Sequence, residues 1–136
     1  MSFDIYLQCV ADDPPGISRA AVRALFPIVE TNSEPDYWSV YYDPANSCTI
    51  GVTPAEHSRE LITLLCINRP CGVLAFWEAV LGILKMGPVI LFWPGGGPLA
   101  GSESVVAGLA PEMVKSLGRP KCVRSAQEII DAIRMS

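Results

Sequence analysis

The chain has 136 residues, half of them hydrophobic and only 18% charged, with a formal net charge of −4. That length suits a single domain, spanning 1–136, with a core of its own, whereas ten scattered basic residues under a negative balance argue against phosphate-backbone recognition and so against a nucleic-acid partner. Five cysteines, odd in number and set mostly in apolar runs, show no disulfide framework, and MSFDIYLQ lacks the basic-then-apolar order of a secretory signal, so the expected location is the reducing cytoplasm.

Phe3 to Val10 alternates, with Phe3, Ile5, Leu7 and Cys9 on one face and Asp4, Tyr6 and Gln8 on the other, which predicts a half-buried strand. Asp12-Asp13-Pro14-Pro15-Gly16 is a turn, and Ser18 to Phe26 a short helix with Ala21, Val22, Leu25 and Phe26 inward. The polar stretch from Thr31 to Pro35 leads to a second strand, Asp36 to Tyr42, then a hairpin-like turn and a third strand, Cys48 to Val52. Thr53-Pro54-Ala55-Glu56 has the composition of a helix start, a threonine cap with proline first and glutamate third, and predicts a single turn. Leu61 to Asn68 is apolar on both faces, the pattern of a central strand covered on both sides.

The stretch from Gly72 to Gly97 then reads as a long apolar helix to Met86, a Gly87-Pro88 break, the strand Val89 to Trp93 and a glycine hairpin. A hydropathy window over 73–93 resembles a membrane span. However, Glu78 and Lys85 would each cost about 2.5–3.5 kcal/mol at a bilayer centre. Pro88 also interrupts the helix, and the β-branched, aromatic run beyond it suits a strand. No membrane association is expected. Ser102 to Leu109 has no clear type. A proline-started helix, Pro111 to Leu117, stops at Gly118; a short strand, Lys121 to Val123, follows, and Ser125-Ala-Gln-Glu128 boxes the start of a last helix carrying Ile129, Ile130 and Ile133 inward. The order β-α-β-β-β-α-β-α-β-α predicts an α+β fold, a mixed and mostly antiparallel sheet with helices mainly on one face.

No combination of residues reads as catalytic. Trp93-Pro94-Gly95-Gly96-Gly97-Pro98 has the makings of a backbone nest for an anion, with Arg69 as counter-charge, but lacks the ending of a phosphate loop. His57, the single histidine, sits in a polar turn with no nucleophile elbow elsewhere. Cys66 and Cys71 lack metal-ligand spacing, and the acids at Asp12-Asp13 and around Glu30, Glu34 and Asp36 fall in turns. No cofactor or metal is expected. The aromatic strand is more informative. Trp38, Val40 and Tyr42 share one face and Tyr37, Ser39 and Tyr41 the other, flanked by Asp36 and Asp43; Tyr6 joins the second set if the first strand pairs nearby. Tyrosines rimmed by charge are what protein interfaces concentrate, so Tyr6, Asp36, Tyr37, Tyr41, Asp43 and Trp93 are the candidate partner-binding residues.

Phe3 to Gln8, Tyr37 to Tyr42, Asn68-Arg69-Pro70, Trp77, Trp93 to Gly97, Pro111-Glu112-Met113 and Gly118-Arg119-Pro120 together resemble a group of small bacterial proteins similar to immunity proteins encoded beside polymorphic toxins. The resemblance implies a non-enzymatic protein that neutralises a cognate toxin by occluding it; it carries over no binding residues. Two alternatives stand beside it: a small-molecule enzyme or ligand-binding domain using the Trp93–Gly97 hairpin as an anion site, and a homodimer pairing through the long helix, in which Glu78 and Lys85 are nearly the sole charges.

Overall fold

The computed structural model describes residues 3–10, 15–29 and 34–136. The turn expected at Asp12, Asp13 and Pro14, the acid Glu30 and the polar connection at Thr31 lie outside the described residues. Among those described, strands β1 (Ile5–Cys9), β2 (Ile17–Ser18), β3 (Ile28–Val29), β4 (Tyr37–Asp43), β5 (Asn46–Ala55), β6 (Ser58–Asn68), β7 (Val89–Trp93), β8 (Gly96–Ala100) and β9 (Lys121–Cys122) form one sheet. The helices are α1 (Arg19–Arg23), α2 (Leu74–Leu84), α3 (Glu103–Gly108), α4 (Pro111–Leu117) and α5 (Ala126–Arg134). The sheet runs β3-β4-β5-β6-β1-β7-β8-β9, antiparallel at every pair but β8–β9, and β2 continues the line of β1 along β6. The α+β class and its mixed, mostly antiparallel sheet follow directly.

Antiparallel pairing puts directly opposed residues on the same face. One face gathers Ile5, Leu7, Trp38, Val40, Ile50, Val52, Leu65, Ile67, Val89 and Leu91, all nearly inaccessible to solvent. Helix α2 lies in this core through Phe76, Trp77, Val80, Ile83 and Leu84, and α5 adds Ile129 and Ile133 beside it. Because β6 and β7 both run antiparallel to β1, they are parallel to each other, and α2 is the crossover that such a pair requires. This explains the oily stretch from 73 to 93: its helix is buried in the core, and its strand is central. Among the described residues no helix is long and apolar enough to cross a membrane.

At the β7–β8 end, Ile90 and Ala100 point away from Val89 and Leu91 yet are also completely buried, outside the main core cluster, so this part of the sheet is covered on both faces. Further along, from β1 to β4, the second face is open. There the expectation that β6 is covered on both sides is corrected: Leu65 and Ile67 are buried, but Leu64 and Cys66 on the other face are only half-buried. The one-turn helix expected at Thr53 is also absent. Thr53, Pro54 and Ala55 continue β5, which turns at Glu56-His57 into β6. A single helical turn has no cooperativity to set against the ladder bonds to β6, and Pro54 falls at a register shift where its missing donor is tolerated.

Strand β8, Gly-Gly-Pro-Leu-Ala, has no strand pattern of its own in the sequence. It forms because β7 folds back on it, with Gly97 and Pro98 taken up in an irregularity between the Leu91↔Leu99 and Trp93↔Gly96 pairs. Ser125 caps α5 by accepting from the Glu128 amide at 3.2 Å, as the box pattern indicates, while the Glu128 carboxylate reaches back to the Arg124 amide.

Candidate functional site

The open face is laid out by register. One row across the sheet reads Tyr37, Gly51, Cys66, Tyr6, Phe92; the next reads Ser39, Thr49, Asn68, with Asp4 following in β1's line; Tyr41 and Ser47 make a third. Tyr6 stacks on Phe92 with ring centroids 5.4 Å apart and planes at 18°. Tyr37 leans over Gly51, where a Cβ would stand 3.8 Å from the ring. In these rows, among the described residues, Asp4 is the sole charged group.

A polar chain crosses four strands beneath the tyrosines. The Tyr37 phenol donates to Thr49 Oγ1 at 3.1 Å. The Asn68 amide satisfies both of its ends when its nitrogen faces Asp4, donating to the carboxylate at 3.1 and 3.2 Å while its oxygen accepts from Thr49 Oγ1 at 3.2 Å. Tyr37, Thr49, Asn68 and Asp4 are thereby held in fixed orientations before any partner arrives. Negative charge on Cys66, then burial and the Asp4 carboxylate, push the Tyr6 phenol above its ordinary value. Burial first, then Asp4, raises the Cys66 thiol above its ordinary value.

A groove of about 680 Å³ opens beside this chain, lined by Val29, Tyr41, Ser47, Thr49, Asn68 and Arg69 among others. Val29, Tyr37 and Tyr41 are 43%, 44% and 47% exposed, three of the most exposed large hydrophobic residues described. All three lie on this one face. Isolated exposed side chains are normal, but a cluster on a charge-poor surface is the composition that interfaces favour.

The six residues singled out from sequence therefore divide. Tyr6, Tyr37 and Tyr41 come together on the open face. Asp36 is drawn into a clasp: Arg59 Nη2 donates to both of its oxygens at 2.7 Å, and Arg19 Nη2 donates to Oδ1 at 2.9 Å while its Nε and Nη1 reach the carbonyls of Arg59 and Pro35. These arginines, Arg59 first, hold the Asp36 carboxyl below its ordinary value. The clasp ties the start of α1, the start of β4 and the β5–β6 hairpin. Asp43 closes the β4–β5 turn, accepting from the Ala45 amide at 2.9 Å and from Asn46 Nδ2, while Asn46 Oδ1 accepts from Gly72 N at 2.9 Å. Trp93 is 4% exposed and joins the core, its Nε1 donating to Ser136 Oγ at 3.0 Å; it offers no surface to a partner.

The glycines of the Trp93–Gly97 hairpin have conformational and packing reasons of their own. Gly95 and Gly97 take φ of +86° and +83°, a Cβ on Gly96 would collide with the Trp93 indole, and one on Gly97 would meet the backbone of Leu91 and Phe92 at 3.0 Å. His57 projects from the β5–β6 turn, its imidazole 4.0 Å from Glu56 and almost fully exposed. Among the described residues no three His, Cys, Asp or Glu side chains gather to hold a metal.

Asp4, Thr49, Asn68 and Val29 went unrecognised in the sequence. Their signal is weak: Asp4 and Thr49 are ordinary residues on the polar side of an alternating strand, Asn68 ends an apolar one, Val29 sits in a strand of two residues, and only strand order brings them together. Comparison with protein-family models, with curated proteins and with solved structures finds no match.

Proposed function

We propose that this chain is a non-enzymatic protein-binding protein, an immunity protein that neutralises a cognate bacterial toxin in the cytoplasm by covering it with the open face of β4, β5, β6 and β1. One observation carries the reading: Val29, Tyr37 and Tyr41 are exposed on one sheet face, Val29 and Tyr41 at a groove in it, and the described residues of that face carry little charge. Aromatic groups held on a rigid strand lose little entropy on docking and supply the largest share of interface energy. The underlying hydrogen-bond chain from Tyr37 to Asp4 adds preorganisation. The net charge of −4 favours long-range attraction to a basic partner, and an odd set of five cysteines, mostly in apolar runs, suits a reducing compartment.

The test pairs the chain with the product of the neighbouring gene. Co-expression is expected to restore growth, and the purified proteins to run as a 1:1 complex. Tyr41→Asp places an unpaired charge in the docking face and is expected to weaken the complex at least about tenfold with the fold intact. Undiminished toxicity with both proteins present, or wild-type affinity in Tyr41→Asp, refutes the proposal.

A further inference from the structure

Arg69 stands where the groove meets the end of β6, and its backbone is unusual. It is the one non-glycine residue described with a positive φ, at 53°. Glycine takes that conformation freely, whereas a side chain resists it, so backbone geometry alone gives no reason for an arginine. Neighbouring groups give none either: among the described residues its guanidinium makes no ion pair or hydrogen bond. Asp4, the acid lining the same groove, is turned to the Asn68 amide instead. Among the described residues Arg69 is thus a cation without a partner, lining the same groove as Tyr41, Ser47 and Thr49.

We infer that Arg69 is the electrostatic anchor of the docking face, receiving a carboxylate side chain from the partner protein while Tyr41 and Val29 cover the apolar group beside it. The inference rests on the docking reading above and names the chemistry the partner must present. A guanidinium matches a carboxylate through two parallel N–H donors. The overall negative charge draws a basic protein from a distance, and one acid opposite Arg69 then fixes its register.

Two experiments test it. In the first, isotopically labelled protein is titrated with a capped five-residue peptide holding two glutamates, and with the same peptide holding glutamines. The glutamate peptide is expected to shift the Arg69 Nε–H resonance and the Ser47 amide saturably, and the glutamine peptide to leave them in place. Equal responses, or none at Arg69, overturn the anchor whether or not the neighbouring gene product binds. In the second, Arg69→Gly is expected to melt at or above the wild-type temperature and yet bind the neighbouring gene product at least about tenfold more weakly, with Arg69→Lys between the two. A lower melting temperature makes Arg69 a structural residue and overturns the inference. Wild-type binding by Arg69→Gly beside weakened binding by Tyr41→Asp removes the anchor and leaves the docking face. Wild-type binding by both removes the face itself.

Discussion

Gly96→Ala isolates a contact that decides how the β7–β8 hairpin is built. Gly96 does not have a positive φ, so alanine pays no backbone penalty there and any effect is steric. A Cβ at Gly96 would overlap Nε1 and Cε2 of the Trp93 indole and come within 2.7 Å of Cζ2. The indole must swing away, which breaks its 3.0 Å hydrogen bond to Ser136 and exposes a side chain that is now 4% accessible. Overpacking costs about 1–3 kcal/mol, and the lost hydrogen bond about 0.5–1.5 kcal/mol. Complete loss of a buried tryptophan, about 3–5 kcal/mol, sets the ceiling. The expected loss is therefore about 2–3 kcal/mol. With 136 residues unfolding, each kcal/mol corresponds to about 3–4 °C, so Tm falls by about 6–12 °C. Urea denaturation followed by circular dichroism measures the loss. Gly95→Asn is the control, since open space surrounds that position and the left-handed backbone alone is charged, about 1 kcal/mol or less. In a Trp93→Phe background the Gly96→Ala penalty is expected to shrink by at least about 1 kcal/mol, the signature of direct coupling. A Gly96→Ala protein within about 0.5 kcal/mol of wild type, or a penalty unchanged by Trp93→Phe, refutes the reasoning.

Phe76, fully buried and edge-on to Trp77 with centroids 4.9 Å apart, is expected to cost about 3–5 kcal/mol as Phe76→Ala in the same urea assay. Tyr42→Phe is expected to be neutral or stabilising at pH 7, because the Tyr42 hydroxyl is buried with no hydrogen-bond partner among the described residues. Burial, then negative charge on Cys71 and Cys48, pushes this phenol up to about 12. Its contribution is full below the ordinary value of 10.0 and is lost as pH rises from there through 12, so the wild type is expected to lose stability over that window more steeply than Tyr42→Phe. The depressed Asp36 carboxyl has the opposite sign. Its contribution is full above 3.8 and lost as pH falls through the lower folded value, so urea midpoints of wild type and Asp36→Asn are expected to differ modestly at pH 7 and to converge at acid pH. Because Asp36 is partly exposed, the neutral-pH difference is about 1 kcal/mol or less.

Wherever a period was long and uninterrupted, local pattern agreed with the structure. The helix read from Gly72 to Met86 forms over Leu74–Leu84, Val89 to Trp93 is β7 to the residue, and Trp38, Val40 and Tyr37, Tyr41 take opposite faces as alternation requires. Pattern failed where a neighbour outvoted it. Thr53-Pro54-Ala55-Glu56 has a helix-start composition, yet pairing with β6 holds most of it in β5; Gly96 to Ala100 has almost no strand propensity, yet β7 folds back to make it one. Asp36 and Asp43 have the composition of an interface rim. Both are instead spent on local bonds, because Arg19, Arg59 and Asn46 arrive from elements tens of positions away or across the turn.

What the amino-acid order settled unaided is the inward and outward faces of the cleanly alternating strands β1, β4 and β5 and the buried side of α5, since these follow from the 2.0 and 3.6 periods; it did not settle α1 and the turn after it, where Ala21 and Leu25 are expected inward and are exposed. Only the tertiary structure decided that β5 and β6 lie between Tyr37 and Tyr6, that α2 covers one face and leaves the other open, and that Arg69 meets Tyr41 across a groove. The physical reason is that strand order is a long-range choice. It depends on which pairing of strands buries most apolar surface while satisfying the backbone, and no local window contains that sum.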